Sequence, residues 1–418
     1  MVISPLWLSN ASTVVASALV LQAATGRTSC AEPGESVAVF CSIPMSGRFS
    51  ATCLRPIPTV RSLGSRFVIV TDIAEELLET STALRPKHTV AASSGTTVNP
   101  HQHRHRLIPT ESTGYMEPLS RYEPIVGDPE AFYDACSRPL PSVVRVNEIK
   151  ATPDRVKRAF EEADVNYEPV DWHDGLFQLG PSESPGNSWP FVHGWVYGQE
   201  EVSVVPGLVL DPEPGERVLD CCAAPGSKTT QLAARMDDRG LLVGNDNNLG
   251  RLSALRSNAE RCGVTNLVVT RQDARNFSLR AFGEEPFDRT LVDVPCSCEG
   301  TIRKNPDALD NWSMDHVEGI AGVQKGILDR SIEVTCPGGT VVYSTCTFAP
   351  EENEAVLQHA LEHHDCRLIE YELPLEHESG LTEWAGETFD DSMRRAKRIY
   401  PHHNDTGGFF CAKLEVGG

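Results

Sequence analysis

A chain of 418 residues with 40% hydrophobic content can bury two or more packed domains, and its formal charge of −21 argues against holding nucleic acid by bulk attraction. The charge is uneven: residues 1–115 hold 9 Lys+Arg against 7 Asp+Glu, and residues 116–418 hold 28 against 51, with 21 Arg and 7 Lys. The 13 cysteines follow no even framework and include no C-x-x-C pair, which points to a reducing cytoplasm and away from a structural zinc site.

Residues 1–115 carry scattered Ser and Thr, no sustained apolar period and a low-complexity tract from His101 to Arg106, and are not expected to form a domain. The apolar stretch from Val14 to Ala24 is broken by Ser17 and Gln22 and follows no basic residue, so neither a signal peptide nor a membrane span is expected. Met116 reads as the natural start, with the upstream residues a dispensable extension.

From Met116 to Gly198 the pattern predicts a small α+β region. Ser142–Asn147 alternates as a strand, Thr152 is placed to cap a helix with Pro153 at its first position, and Val156, Ala159 and Phe160 line one face as far as Ala163. Tyr167–Trp172 reads as a second strand, completing a β-α-β unit. Arg155, Lys157 and Arg158 form either an RNA contact or a solvated helix face.

Beyond Arg217 strands and helices alternate as a doubly wound α/β sheet requires. Strands are expected at Arg217–Cys222, Gly240–Asn245, Leu267–Thr270, Arg289–Val294, Thr340–Ser344 and, to close, Gly407–Leu414; helices at Lys228–Met236, Leu249–Arg261 and Asp315–Val334. Parallel strands set their C-terminal ends along one crevice, where Asp220, Asp246 and Asp273 can converge on one ligand. An acid after the second strand, Asp246, can accept both hydroxyls of a ribose; each carboxylate alone could equally cap a turn. Between the first strand and its helix lies CAAPGSK, a small-residue turn in which Gly226 lets the backbone approach a ligand closely. A nucleotide-triphosphate loop would need Gly-Lys-Ser/Thr with an earlier Gly, but Ser227 separates Gly226 from Lys228 and position 221 is Cys.

The string from Cys222 to Thr229 resembles the cofactor motif of the Sun (RsmB-like) family of S-adenosylmethionine-dependent RNA cytosine-5 methyltransferases. Three more stretches follow in that family's order: Asp293-Val-Pro-Cys296-Ser-Cys298-Glu-Gly-Thr301, Tyr343-Ser-Thr-Cys346-Thr-Phe348 and Gly407-Gly408-Phe409-Phe410. The resemblance implies a Rossmann-like methyltransferase domain over residues 199–418, preceded by a small RNA-binding region over residues 116–198. It implies an S-adenosylmethionine site made of Cys222, Ala223, Ala224, Pro225, Gly226, Ser227, Lys228, Asp246, Arg251, Asp273 and Asp293. Lys228 is expected to reach the carboxylate end of the cofactor or a nearby phosphate, and Asp273 to lie near the adenine.

Cytosine carbon 5 is a poor nucleophile until a thiolate adds at carbon 6, so the chemistry requires cysteine. By the resemblance Cys346 attacks, Cys296 assists release, and Asp293 faces the N3 and amino edge to stabilise the charge that develops there. A DNA enzyme would attack with a Pro-Cys thiolate and have no need of Cys346, and a catalytically silent RNA-binding protein of this fold would have lost one of the two cysteines. The implied partner is RNA, tRNA ahead of rRNA, engaged by a cytoplasmic monomer with no metal and no membrane. Arg303-Lys304-Asn305-Pro306 and Arg394-Arg395-Ala396-Lys397-Arg398 are candidate contacts for its phosphates. Cys298 departs from the pattern, standing where the family commonly has Gly, and the acidic, Arg-rich composition resembles a haloarchaeal protein.

Overall fold

The computed structural model describes Ile69–Val70 and residues 116–417 apart from Asn311. The expectations for the rest of residues 1–115, the histidine tract and a dispensable extension among them, lie outside the described residues. Ile69–Val70 is a two-residue strand on the edge of the large sheet.

From residue 116 the chain opens with elements the sequence pattern did not give, a 3-10 helix over Glu117–Ile125 and then α1 (Pro129–Ser137), started by Asp128 accepting from Ala131 N at 3.0 Å. Leu119, Tyr122 and Phe132 are fully buried. They pack with Phe348 and Tyr400 from much later in the chain, Phe132 edge-on to Phe348 at 5.3 Å between centroids.

Next come β1 (Val143–Val146), α2 (Pro153–Glu162), β2 (Tyr167–Pro169), β3 (Leu176–Leu179) and β4 (Val196–Gly198). Thr152 caps α2 and Val156, Ala159 and Phe160 are its buried face. The strand expected at Tyr167–Trp172 ends at Pro169, and β1 and β2 are not neighbours: β3 lies between them in an antiparallel sheet of order β2-β3-β1-β4. The chain reverses after Val170 through a turn in which His173 Nδ1 accepts from Gly175 N at 3.0 Å, and β3 returns alongside. This small sheet is tied to its neighbour by buried polar groups. Asn147 Nδ2 donates to Gly194 O and Cys262 O, each at 2.7 Å, and Arg145 donates to Gln199 Oε1 at 2.8 Å and Thr230 Oγ1 at 3.0 Å.

After α3 (Val205–Leu210) the large sheet begins. Its elements are β5 (Arg217–Asp220), α4 (Ser227–Arg235), β6 (Leu241–Asn245), α5 (Leu249–Cys262), β7 (Leu267–Thr270) and β8 (Phe287–Asp293). There follow α6 (Met314–Glu333), β9 (Thr335–Thr345), α7 (Glu354–His363), β10 (Cys366–Leu368), β11 (Lys397–Ile399) and β12 (Phe409–Val416). The order is β7-β6-β5-β8-β9-β12-β11, with β10 also paired to β12; the first five strands are parallel and β12 is antiparallel to β9, β10 and β11. Strands covered on both faces need apolar residues throughout, and Val218, Leu219, Leu242, Val243, Leu291, Val292, Val341 and Val342 have no exposed surface. This is a doubly wound, Rossmann-like sheet, and its order reverses between β5 and β8, where the C-terminal strand ends leave a crevice. Among the described residues no helix is long and apolar enough to cross a membrane.

Candidate active site

At the end of β5 the chain enters a turn containing a cis Ala224–Pro225 bond and then Gly226 at φ +107°. A side chain there is doubly disfavoured, because a Cβ would also lie 2.9 Å from Leu255 Cδ1. The turn walls a cleft of about 560 Å³ that is lined by every residue named from the sequence as cofactor-binding except Gly226. Asp220 also lines it but is inward-facing, accepting from Thr229 Oγ1 at 2.6 Å, and burial pushes its carboxyl up to about 7.

Asp246, just beyond β6, is 3% exposed. Its Oδ1 accepts from Asn248 N at 2.9 Å, whereas Oδ2 has no hydrogen-bond partner; the Arg251 guanidinium is 3.2 Å away but not aligned to donate. A buried carboxylate oxygen facing a cleft without a donor is a place for ligand hydroxyls. Asp273 sits at the rim, where a hydrogen bond from the Arg275 side chain holds it below the usual carboxylate range. Ala274, Val323 and Ile327 supply an apolar wall.

On the other side of the crevice, Asp293 ends β8. Its Oδ1 accepts from Ser344 Oγ at 2.8 Å and its Oδ2 is 2.8 Å from Lys228 Nζ, which also donates to Ser203 Oγ at 3.0 Å. Burial alone would lower the Lys228 ammonium, but the adjacent Asp293 charge outweighs it and the pKa is raised. The lysine is therefore engaged by protein groups as well as lining the cleft. Neither Ser203 nor Ser344 was singled out by sequence.

The loops after β8 and β9 bring Cys296 Sγ and Cys346 Sγ to 3.1 Å, with Cys298 Sγ 3.7 Å from Cys296 Sγ. Hydrogen bonding within this trio lowers the Cys298 thiol, while contacts with Cys298 and Cys346, together with burial, raise Cys296. Cys298 has φ +67°, the left-handed conformation that a glycine adopts freely.

These loops rest on a buried polar cluster that the sequence did not reveal. Ser297 Oγ lies between carboxylate oxygens of Glu299 and Glu352 and 2.9 Å from Thr347 Oγ1. Glu299 also accepts from Tyr122 OH and Trp312 Nε1, each at 2.7 Å, and Glu352 from Ser297 N at 3.1 Å and Gln324 Nε2 at 2.8 Å. One hydroxyl proton cannot serve both acids. Burial first, and the Glu299 charge second, push Glu352 up to about 8, so Glu352 is the acid that carries a proton. Backbone contact completes the assembly: Gly300 N donates to Cys346 O at 3.0 Å and Gly408 N to Gly300 O at 2.8 Å. A Cβ on Gly300 would lie 2.4 Å from Gly408 O.

With two cysteine loops beside a cleft at the switch point, the likeness to known proteins becomes specific. Residues 207–415 match the family described as 16S rRNA methyltransferase RsmB/F, and residues 118–201 match the N-terminal domain of 16S rRNA methyltransferase RsmF. The chain is 37% identical over 298 residues to the tRNA (cytosine(49)-C(5))-methyltransferase of Pyrococcus abyssi, covering 71% of this chain and 94% of that one. The chain belongs to the RsmB/F family. It is also 38% identical over 297 residues to ribosomal RNA small subunit methyltransferase F of Aliivibrio salmonicida, but spans only 60% of that relative's length. A crystal structure of a methyltransferase homolog from Pyrococcus horikoshii, 33% identical, matches with a TM-score of 0.63 over 71% of this chain and 93% of its own.

As an RsmB/F member the chain is an S-adenosylmethionine-dependent RNA cytosine-5 methyltransferase. The cleft suits that cofactor: Asp246 Oδ2, ion-paired with Arg251 but free of hydrogen bonds, answers a ribose diol, and the apolar wall of Ala274, Val323 and Ile327 answers a flat base. Two expectations for RsmB/F-type RNA contacts need correction. Arg303 is 4% exposed and spends its donors on Arg138 O, Pro139 O, Thr406 O and Asp405, so it fastens α1 rather than meeting phosphate. In the second basic run Arg398 is buried against the Glu354 carboxylate, and Lys397 pairs with Glu370 at 2.6 Å. Lys304, Arg394 and Arg395 are the exposed basic residues of the two runs.

Proposed function

We propose that the chain methylates carbon 5 of a cytosine in tRNA through a covalent adduct on Cys346. The observation that carries this is the 3.1 Å pairing of Cys296 and Cys346 thiols beside the Asp293 end of the cofactor cleft. The Cys346 thiolate adds to carbon 6, and the ring's electrons move toward N3, to which Asp293, carrying a proton at this step, donates. S-adenosylmethionine supplies the electrophilic methyl group that carbon 5 takes up. Removal of the carbon 5 proton then expels the Cys346 sulfur, the step Cys296 assists. In the cleft Asp246 holds the ribose, Asp273 lies at the adenine end, and the Cys222–Ser227 turn with Lys228 and Arg251 closes around the remainder.

The tRNA reading is supported by the tRNA-modifying relative, which this chain matches at 37% identity over 94% of that relative's length. Residues 116–198 serve as the RNA-binding region, its exposed Arg155 and Arg158 facing solvent on α2. A reducing cytoplasm keeps the paired thiols competent, and the protein acts as a monomer. Transcribed tRNA and small-subunit rRNA, incubated with protein and cofactor and read by bisulfite sequencing, test the substrate. Conversion-resistant cytosine in rRNA alone would sink the tRNA reading. The roles of the thiols are read on a denaturing gel: Cys346→Ala should give no protein–RNA adduct and lose turnover by about 10⁴-fold or more, whereas Cys296→Ala should accumulate the adduct. The reverse pattern reassigns the nucleophile.

A further inference from the structure

Cys298 has no part in that reaction, and it holds a side chain at φ +67°, where glycine would be less strained. Its sulfur nevertheless turns inward, donating to Cys296 O at 3.0 Å. The sulfurs of Cys296, Cys298 and Cys346 all lie within 4.8 Å of one another, the one such convergence of potential metal-ligating groups among the described residues. A zinc ion bound by thiolates at about 2.3 Å sets neighbouring sulfurs about 3.8 Å apart in a tetrahedron. Cys296 and Cys298 already stand at 3.7 Å, and Cys296 and Cys346 at 3.1 Å need to open by only about 0.7 Å. Cys298 and Cys346 are partly exposed, so a cation can reach them from the substrate side and keep a water at its fourth position. The Lys228 ammonium, which interacts electrostatically with Cys346, offsets the net negative charge of three thiolates around one divalent ion.

We infer that Cys296, Cys298 and Cys346 form a binding site for a thiophilic divalent cation such as Zn²⁺, and that an occupied site withholds Cys346 from RNA. Binding releases the thiol protons to solvent and requires neither oxidant nor reductant. The first half stands on geometry alone; the second rests on Cys346 being the attacking group.

The full chain, reduced with a phosphine and freed of metal by a chelator, is titrated with Cd²⁺ alone while its thiolate-to-metal charge-transfer absorbance is followed. One equivalent should saturate the band, and Zn²⁺ should displace it. Cys298→Gly, which suits the left-handed turn, should keep its melting temperature and its methyl transfer yet bind Cd²⁺ at least about tenfold more weakly. Cys298→Asn, also at home in that conformation, serves if the glycine variant is unstable. Zn²⁺ should inhibit methyl transfer by the wild type, reversibly with chelator, and the Cys298 variant only at correspondingly higher concentration. No band in the wild type, or a band of equal affinity without Cys298, overturns the site. A Cys298-dependent band with no inhibition keeps the site and removes Cys346 from the role of attacking group.

Discussion

The cleft at the ends of β5, β6 and β7 and the cysteine loops after β8 and β9 share one edge of one sheet, but they are held in place differently. The cleft is local: a strand end, a glycine turn and a helix within Arg217–Arg235, then one acid after each of the next two strands. Its groups are set by short-range bonds such as Asn248 N to Asp246, and it leaves Asp246 Oδ2 free of hydrogen bonds toward the cleft. The cysteine loops have little local structure. They are fixed by tertiary groups from across the chain, Tyr122, Trp312, Gln324 and Glu352, and by backbone contact with the Gly407–Gly408 segment. A ligand-binding half can stay partly unsatisfied until its ligand arrives, whereas a half that aims a nucleophile must be rigid beforehand.

The largest effect should come from breaking the backbone contact. Gly300→Ala adds a Cβ 2.4 Å from Gly408 O and 2.8 Å from Cys346 O, and no rotamer change relieves a clash with backbone. Methyl transfer should fall by about 100-fold or more, the cost of misplacing a reacting group by about an ångström, while cofactor binding by calorimetry stays within a few-fold. Equal loss of both would show that the two halves are not independently supported.

Asp246→Asn probes the other half. It removes the charge from a buried acceptor while keeping its shape, and should weaken S-adenosylmethionine binding by about 10- to 100-fold, the value of one charge-assisted hydrogen bond. A normal cofactor affinity would remove Asp246 from the ribose site.

The same division explains what the sequence made legible. The parallel strands were visible because central strands need uninterrupted apolar runs, and the cleft-lining turn because its residues are adjacent in the chain. The strand at Leu176–Leu179 was not, since four residues with three of them buried, following Pro169 and a turn, leave too little alternation to detect. Arg303 and Arg398 were misread for a related reason: a run of basic residues in sequence says nothing about which of them finds Asp405 or Glu354 in the fold. Glu299 and Glu352 carried no signal as a pair, because they are more than fifty positions apart and meet only through Ser297.

That carboxylate pair gives the smallest and most specific prediction. Glu352 is faced by Glu299, Ser297 and Gln324, and burial with the Glu299 charge pushes its carboxyl up to about 8 in the folded protein, against about 4.3 when unfolded. The folded state then holds a proton the unfolded chain has released, so stability is fully present below the unfolded value and falls as pH rises toward 8. The slope from one such group is at most about 1.4 kcal/mol per pH unit. Asp220, also raised by burial to about 7, contributes in the same direction and remains in every variant. Glu352→Gln mimics the protonated acid and removes only its own share. Melting temperatures of wild type and variant should therefore agree near pH 4, separate progressively between about pH 5 and pH 8 and run parallel above that, with the variant the more stable. Curves that run parallel from pH 5 to pH 9 would mean the proton shared at Ser297 does not reside on Glu352, and the rigidity of the cysteine loops would need another source.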